Sequence, residues 1–147
     1  AAYFATLAPD CPAHAQPYGA GCSSSTGVMT IAADRLAWIG DTFLATGTGI
    51  AANGLAFAVF GFAATATPLT QWHPGSSPTC NLLVTPLGSV WVPASGGLAT
   101  YSLAIPRDLA LVGLTLRHQF VQAELGTSLQ LLSLASSNGL LSTVGAL

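Results

Sequence analysis

From Thr42 through Pro106 the chain contains no Asp, Glu, Lys or Arg. Three arginines (Arg35, Arg107, Arg117) and five acids supply all the formal charge of the 147 residues, lysine is absent, and the charged fraction is 5%. An ordinary soluble domain carries about 25% charged residues, and a surface that stays dissolved alone wants about that many. The deficit excludes whole classes. A nucleic-acid binder needs a basic stripe that this chain lacks. Intrinsic disorder needs low hydrophobicity and high net charge, whereas 51% of these residues are hydrophobic and the net charge is −2. The expectation is one folded domain of ordinary size, with much of its exterior turned away from water.

A membrane span is the first competitor. The most apolar stretch, Ile50 to Ala64, is interrupted by Asn53-Gly54 and is shorter than the roughly 20 apolar residues of a spanning helix. An outer-membrane barrel strand alternates polar and apolar residues, and Leu55-Ala-Phe-Ala-Val-Phe60 does not. No membrane span is expected. The start at Ala1, without Met or a basic leader, reads as a mature product left after removal of an export signal.

Short β-prone runs separated by Gly, Pro and Ser clusters fill the chain. Strands are predicted at Tyr3–Leu7, Val28–Ile31, Thr42–Thr46, Leu55–Phe60, Leu82–Thr85, Ser89–Val92, Ala99–Ile105, Leu114–Glu124 and Leu140–Val144. Turns are predicted at Asn53-Gly54, Pro86-Leu-Gly88 and Ser95-Gly-Gly97. Leu125–Leu134 suits either a short helix or an irregular strand. The fold class is all-β, an antiparallel β-sandwich of eight to nine short strands. Residues 1–17 form an extra N-terminal β arm, and 18–147 form the sandwich domain. Three cysteines in a secreted setting point to one disulfide and one remaining thiol. Cys22–Cys80 is the favoured pair, because both residues lie in turn-like contexts; Cys11–Cys22 is the alternative, and three buried thiols would suit a cytosolic protein.

The ordered elements Tyr18-Gly-Ala-Gly-Cys22, Cys80-Asn-Leu-Leu, Ile105-Pro106, Leu111-Val-Gly113, Gln119-Phe120 and Ser137-Asn-Gly-Leu140 running into Val144-Gly145 carry a resemblance. In these residues the chain resembles the small secreted β-sandwich modules of planctomycete and myxobacterial extracellular proteins, over nearly all of Tyr18 to Gly145. The resemblance implies export, a jelly-roll-like sandwich and a disulfide between the two module cysteines, and it brings no general enzymatic assignment. Two departures stand out: Thr79 precedes the middle cysteine where the pattern has Gly, and Ala1 to Pro17, with Cys11, precede the module.

Candidate chemistry is thin. Gly47-Thr-Gly49-Ile-Ala-Ala52 matches a dinucleotide fingerprint on paper, but Asn53-Gly54 would break the helix it needs and no acid follows at the required distance. His14, His73, His118 and Cys80 lack the paired short spacing of a structural zinc site. No G-x-S-x-G elbow is present, and the acids are too few to suggest a paired-carboxylate glycosidase. Asp34-Arg35 and Arg107-Asp108 read as loop anchors. No catalytic residue, cofactor or metal is expected. Trp38, Trp72 and Trp91 are candidate glycan contacts, set against a role in core or subunit packing.

Assembly is the expected function. In Leu55–Phe60, Leu55, Phe57 and Val59 point one way and Ala56, Ala58 and Phe60 the other; a sandwich strand ordinarily buries one face and wets the other. With Phe62, these residues are expected at a subunit interface. Tyr3, Phe4 and Leu7 belong to a β-prone segment outside the module, which either joins a neighbouring copy as a donated strand or caps an edge of its own sheet. The chain thus reads as a secreted structural protomer that builds an extracellular filament or sheath from copies of itself. The alternative is a carbohydrate- or surface-binding adhesion module. Ser and Thr could accept O-linked sugars, and no N-x-[ST] sequon is present.

Overall fold

The computed structural model describes residues 12–146. Its strands are β1 (His14–Tyr18), β2 (Ser23–Ser24), β3 (Gly27–Val28), β4 (Thr30–Arg35), β5 (Thr42–Thr48), β6 (Gly54–Gly61), β7 (Ala63–Pro68), β8 (Asn81–Thr85), β9 (Gly88–Val92), β10 (Ala94–Ser95), β11 (Leu98–Ala104), β12 (Thr115–Leu125), β13 (Leu131–Ser136) and β14 (Gly139–Thr143). Two single 3-10 turns, Leu69–Gln71 and Leu109–Leu111, are the only helical pieces among the described residues. A six-stranded sheet runs β1-β14-β12-β6-β9 with β13 also paired to β12, and a four-stranded sheet runs β10-β11-β5-β4. Every ladder is antiparallel. The protein is an all-β sandwich.

The long strand β12 organises the layers, because side chains alternate across a strand. Phe120 and Gln122 face the four-stranded sheet: the Phe120 ring lies 2.6 Å from where a Cβ on Gly47 would sit, and the Gln122 amide bonds the backbone of Gly49 and Ala51. His118 lies on the same face, stacked on Phe43 at 4.7 Å. Gln119 points the opposite way, into the β7–β8 hairpin, accepting from Leu83 N–H and donating to Asn81 C=O. The hairpin is therefore a third layer on the outer face of the large sheet. Its inner end is fixed by the Cys22–Cys80 disulfide and by Ser136 Oγ–H donating to Asn81 C=O.

That layer corrects one expectation. The second apolar face of β6 is partly covered by the chain itself: Val59 is only 7% exposed, and Leu69 and Leu82 of the hairpin unit are buried. An apolar run says that a face is covered, but not whether the cover comes from the same chain.

Several strand bounds also differ. His14–Tyr18, where no strand is predicted, pairs residue for residue with β14; Pro17 is tolerated because β1 is an edge strand. Gly47 does not end β5, since the absent side chain makes room for Phe120. Asn53-Gly54 is no hairpin turn: Gly54 N–H donates to Ala51 C=O, and the strands it joins lie in different sheets. The ambiguous Leu125–Leu134 stretch resolves into the end of β12, a turn and the start of β13. The Tyr3–Leu7 strand lies outside the described residues.

Candidate functional site

The distinctive surface is the edge of the large sheet at β9. Register places Trp91 opposite Phe57, and Val90 opposite Ala58. Phe57 in turn faces Val121, while Ala58 faces Phe120. Trp91 thus lies on the outer face and Val90 on the face toward the second sheet. Trp91 is 57% exposed and Val90 47%. Among the described residues no strand pairs with the free side of β9. Natural edge strands are ordinarily blunted by charge, an internal proline, a bulge or a covering element. Gly88-Ser-Val-Trp-Val92 has no charged residue and no proline, and its ladder with β6 runs without a bulge.

Beside this edge, on the outer face, a groove of about 410 Å³ opens between β6, β9 and the hairpin layer. Phe57, Val59 and Val121 form its floor; Leu69, Trp72 and Leu82 form the hairpin wall, and Leu87 and Ser89 line the β9 side. Trp72 is 55% exposed. Among the described residues the Ser89 hydroxyl and the Trp72 indole N–H are the only side-chain hydrogen-bonding groups in the lining, and no ionised side chain lines it. Such a surface binds by excluding water from apolar area, worth about 25 cal/mol per Å², and has little with which to orient a polar ligand.

The expected interface residues divide between buried and open positions. Leu55, Phe57 and Val59 lie on the outer face; Leu55 and Phe62 are exposed, Phe57 is half-buried on the groove floor, and Val59, also on that floor, is buried. Phe60 packs against the core, its ring lying over Gly88. Tyr3, Phe4 and Leu7 lie outside the described residues. Of the tryptophans, Trp72 and Trp91 belong to the outer face, whereas Trp38 lines a separate small cavity with Arg107 and Leu109. The structure does not gather the three into one platform.

The residues considered for metal binding or catalysis do not converge. Cys80 is in the disulfide, and the His73 ring accepts a hydrogen bond from Gly75 N–H. His118 Nε2 and Ser142 Oγ are hydrogen-bonded at 2.8 Å, but both residues are fully buried, and Ser142 Oγ–H also donates to Leu116 C=O. Burial lowers the His118 pKa to about 4, so near neutral pH the ring is uncharged. The pair ties β12 to β14. The few charges are used locally: Asp34 accepts from Thr46 Oγ1, Asp108 caps the second 3-10 turn, buried Glu124 accepts from Ser25 N–H, and Arg117 stacks over Tyr18.

No family model, curated protein or solved structure matches the chain. Among the described residues no helix is long and apolar enough to cross a membrane.

Proposed function

We propose that the chain is a secreted structural protomer that self-assembles into an extracellular filament or sheath, with its N-terminal segment donated to a neighbouring copy. The observation that carries this reading is β9, an edge that is unpaired and unguarded among the described residues, with exposed Val90 and Trp91 on its two faces. A second copy of the same charge-poor chain is a partner whose chemistry suits such an edge. The disulfide is compatible with an oxidising, extracellular setting.

Light scattering and negative-stain imaging of the purified protein over a concentration series test the reading. Elongated or sheet-like particles whose mass grows with concentration are expected, and a β9 charge substitution, Trp91→Lys, should abolish them while leaving the circular dichroism spectrum unchanged. Polymer that forms equally well with Trp91→Lys would remove β9 from the account.

The glycan-binding reading has exposed Trp72 and Trp91 in its favour. It is the weaker one, because sugar recognition needs convergent hydrogen-bonding groups and the groove lining supplies two.

A further inference from the structure

Resting on the self-assembly reading, we infer that the β9 edge and the groove beside it are the acceptor for residues 3–7 of a second copy, making the assembly head-to-tail. A strand laid along β9 has one face beside Trp91 and the groove and the other beside Val90, so it must be apolar on both sides. Tyr3-Phe-Ala-Thr-Leu7 meets that requirement: Tyr3, Ala5 and Leu7 alternate with Phe4 and Thr6. Ser89, small and on the groove side of β9, leaves room for a side chain of the added strand to reach across it. Main-chain pairing would then give affinity and the groove would give selectivity, as in other strand additions.

The topology says whose segment it is. The described chain enters beside β1, where Pro12 and Ala13 pack against Gly145, and β1 and β9 are opposite edges of one sheet. A strand outside β9 lies five inter-strand spacings from β1, about 24 Å at roughly 4.8 Å each. From Leu7 to His14 the chain spans at most about 24 Å when fully extended. A protomer's own residues 3–7 would need that whole span fully extended to reach its own β9, a constraint a neighbour's segment does not carry. Donor and acceptor on opposite edges make the contact heterologous, which propagates instead of closing unless the rotation makes a ring.

Two full-length variants test this. A donor-dead chain carries Phe4→Asp and Leu7→Asp and keeps its β9; an acceptor-dead chain carries Val90→Lys and Trp91→Lys and keeps its N-terminal segment. Each alone should sediment as a monomer, and an equimolar mixture should give a one-to-one dimer and nothing larger. A synthetic peptide of residues 1–10 supplies a measurement that needs no variant protein: added to the wild-type chain it should cap β9 and shorten the polymers, and its Phe4→Asp, Leu7→Asp version should need at least tenfold higher concentration. If the wild-type chain is monomeric, the self-assembly reading fails and this inference with it. If the wild-type chain polymerises but the donor-dead chain does too, the mixture stays monomeric or both peptides act alike, this inference fails and strand donation with it, while self-assembly stands. Folding back of residues 3–7 along their own β1 would appear as the donor-dead chain polymerising.

Discussion

At the scale of single residues, two buried polar side chains on β12 do opposite jobs. Gln119 makes three hydrogen bonds, to Leu83 N–H, Asn81 C=O and Ser137 C=O, and so ties the outer hairpin to the large sheet. Gln119→Leu would strand Leu83 N–H and Ser137 C=O in the interior, Asn81 C=O keeping the Ser136 hydroxyl; unsatisfied buried groups cost about 1–3 kcal/mol each, and a loss of roughly 3 kcal/mol in urea unfolding is expected. His118 is instead a liability. Its Nδ1 has no partner, and its neighbours across the interior are Phe43, Tyr101 and Ser142, with no carboxylate among them. Because burial lowers its folded pKa from 6.5 to about 4, the unfolded chain binds the proton more readily between those values. Stability is therefore full above about pH 6.5 and is lost as pH falls toward 4, by up to about 3 kcal/mol. Denaturation midpoints of wild type and His118→Asn, compared at pH 7 and pH 4.5, should show a smaller acid loss in the variant. Neither role was legible in the sequence. Arg117-His-Gln119 stands out in the sequence only as a polar break in an apolar run, and the hydrogen-bond partners of Gln119 lie as far as 38 residues away.

At the scale of elements, the disulfide and the hairpin layer go together. Cys22–Cys80 closes a separation of 58 residues, which the chain-entropy model values at about 4 kcal/mol. Replacing both cysteines by Ser should lower stability by an amount of that order in a denaturant titration. It should also speed hydrogen exchange in β7 and β8 more than in β12, because the bond anchors the start of β8. This pair was legible, since Cys22 after Gly21 and Cys80 after Pro78-Thr79 both sit in turn-like contexts. The long central strands were legible too: Leu114–Glu124 anticipates β12 almost to the residue. The outer layer was not. Ala63–Pro68 is small and mixed in character, and its strand identity comes from pairing with β8, a long-range contact that propensity does not encode. For the same reason the double apolar face of Leu55–Phe60 was legible as covered, while the identity of the cover was not.

At the scale of the whole molecule, the charge deficit and the architecture meet at one edge. Among the described residues the ionised groups are engaged in caps, turns and one exposed pair, Arg35–Asp41, or lie outside the groove lining, and none stands on β9. An apolar, unguarded edge is a hazard in a solitary protein and an asset in one that polymerises. Placing a single positive charge there, Val90→Lys, should leave the monomer folded and reduce polymer mass at least tenfold in light scattering, because a lysine on an edge strand opposes edge-to-edge pairing. Sedimentation velocity of the unglycosylated wild-type chain, from low to high micromolar, measures the central claim most directly. A mean sedimentation coefficient that climbs steadily with concentration is expected; a single species of 14.8 kDa at every concentration would contradict it.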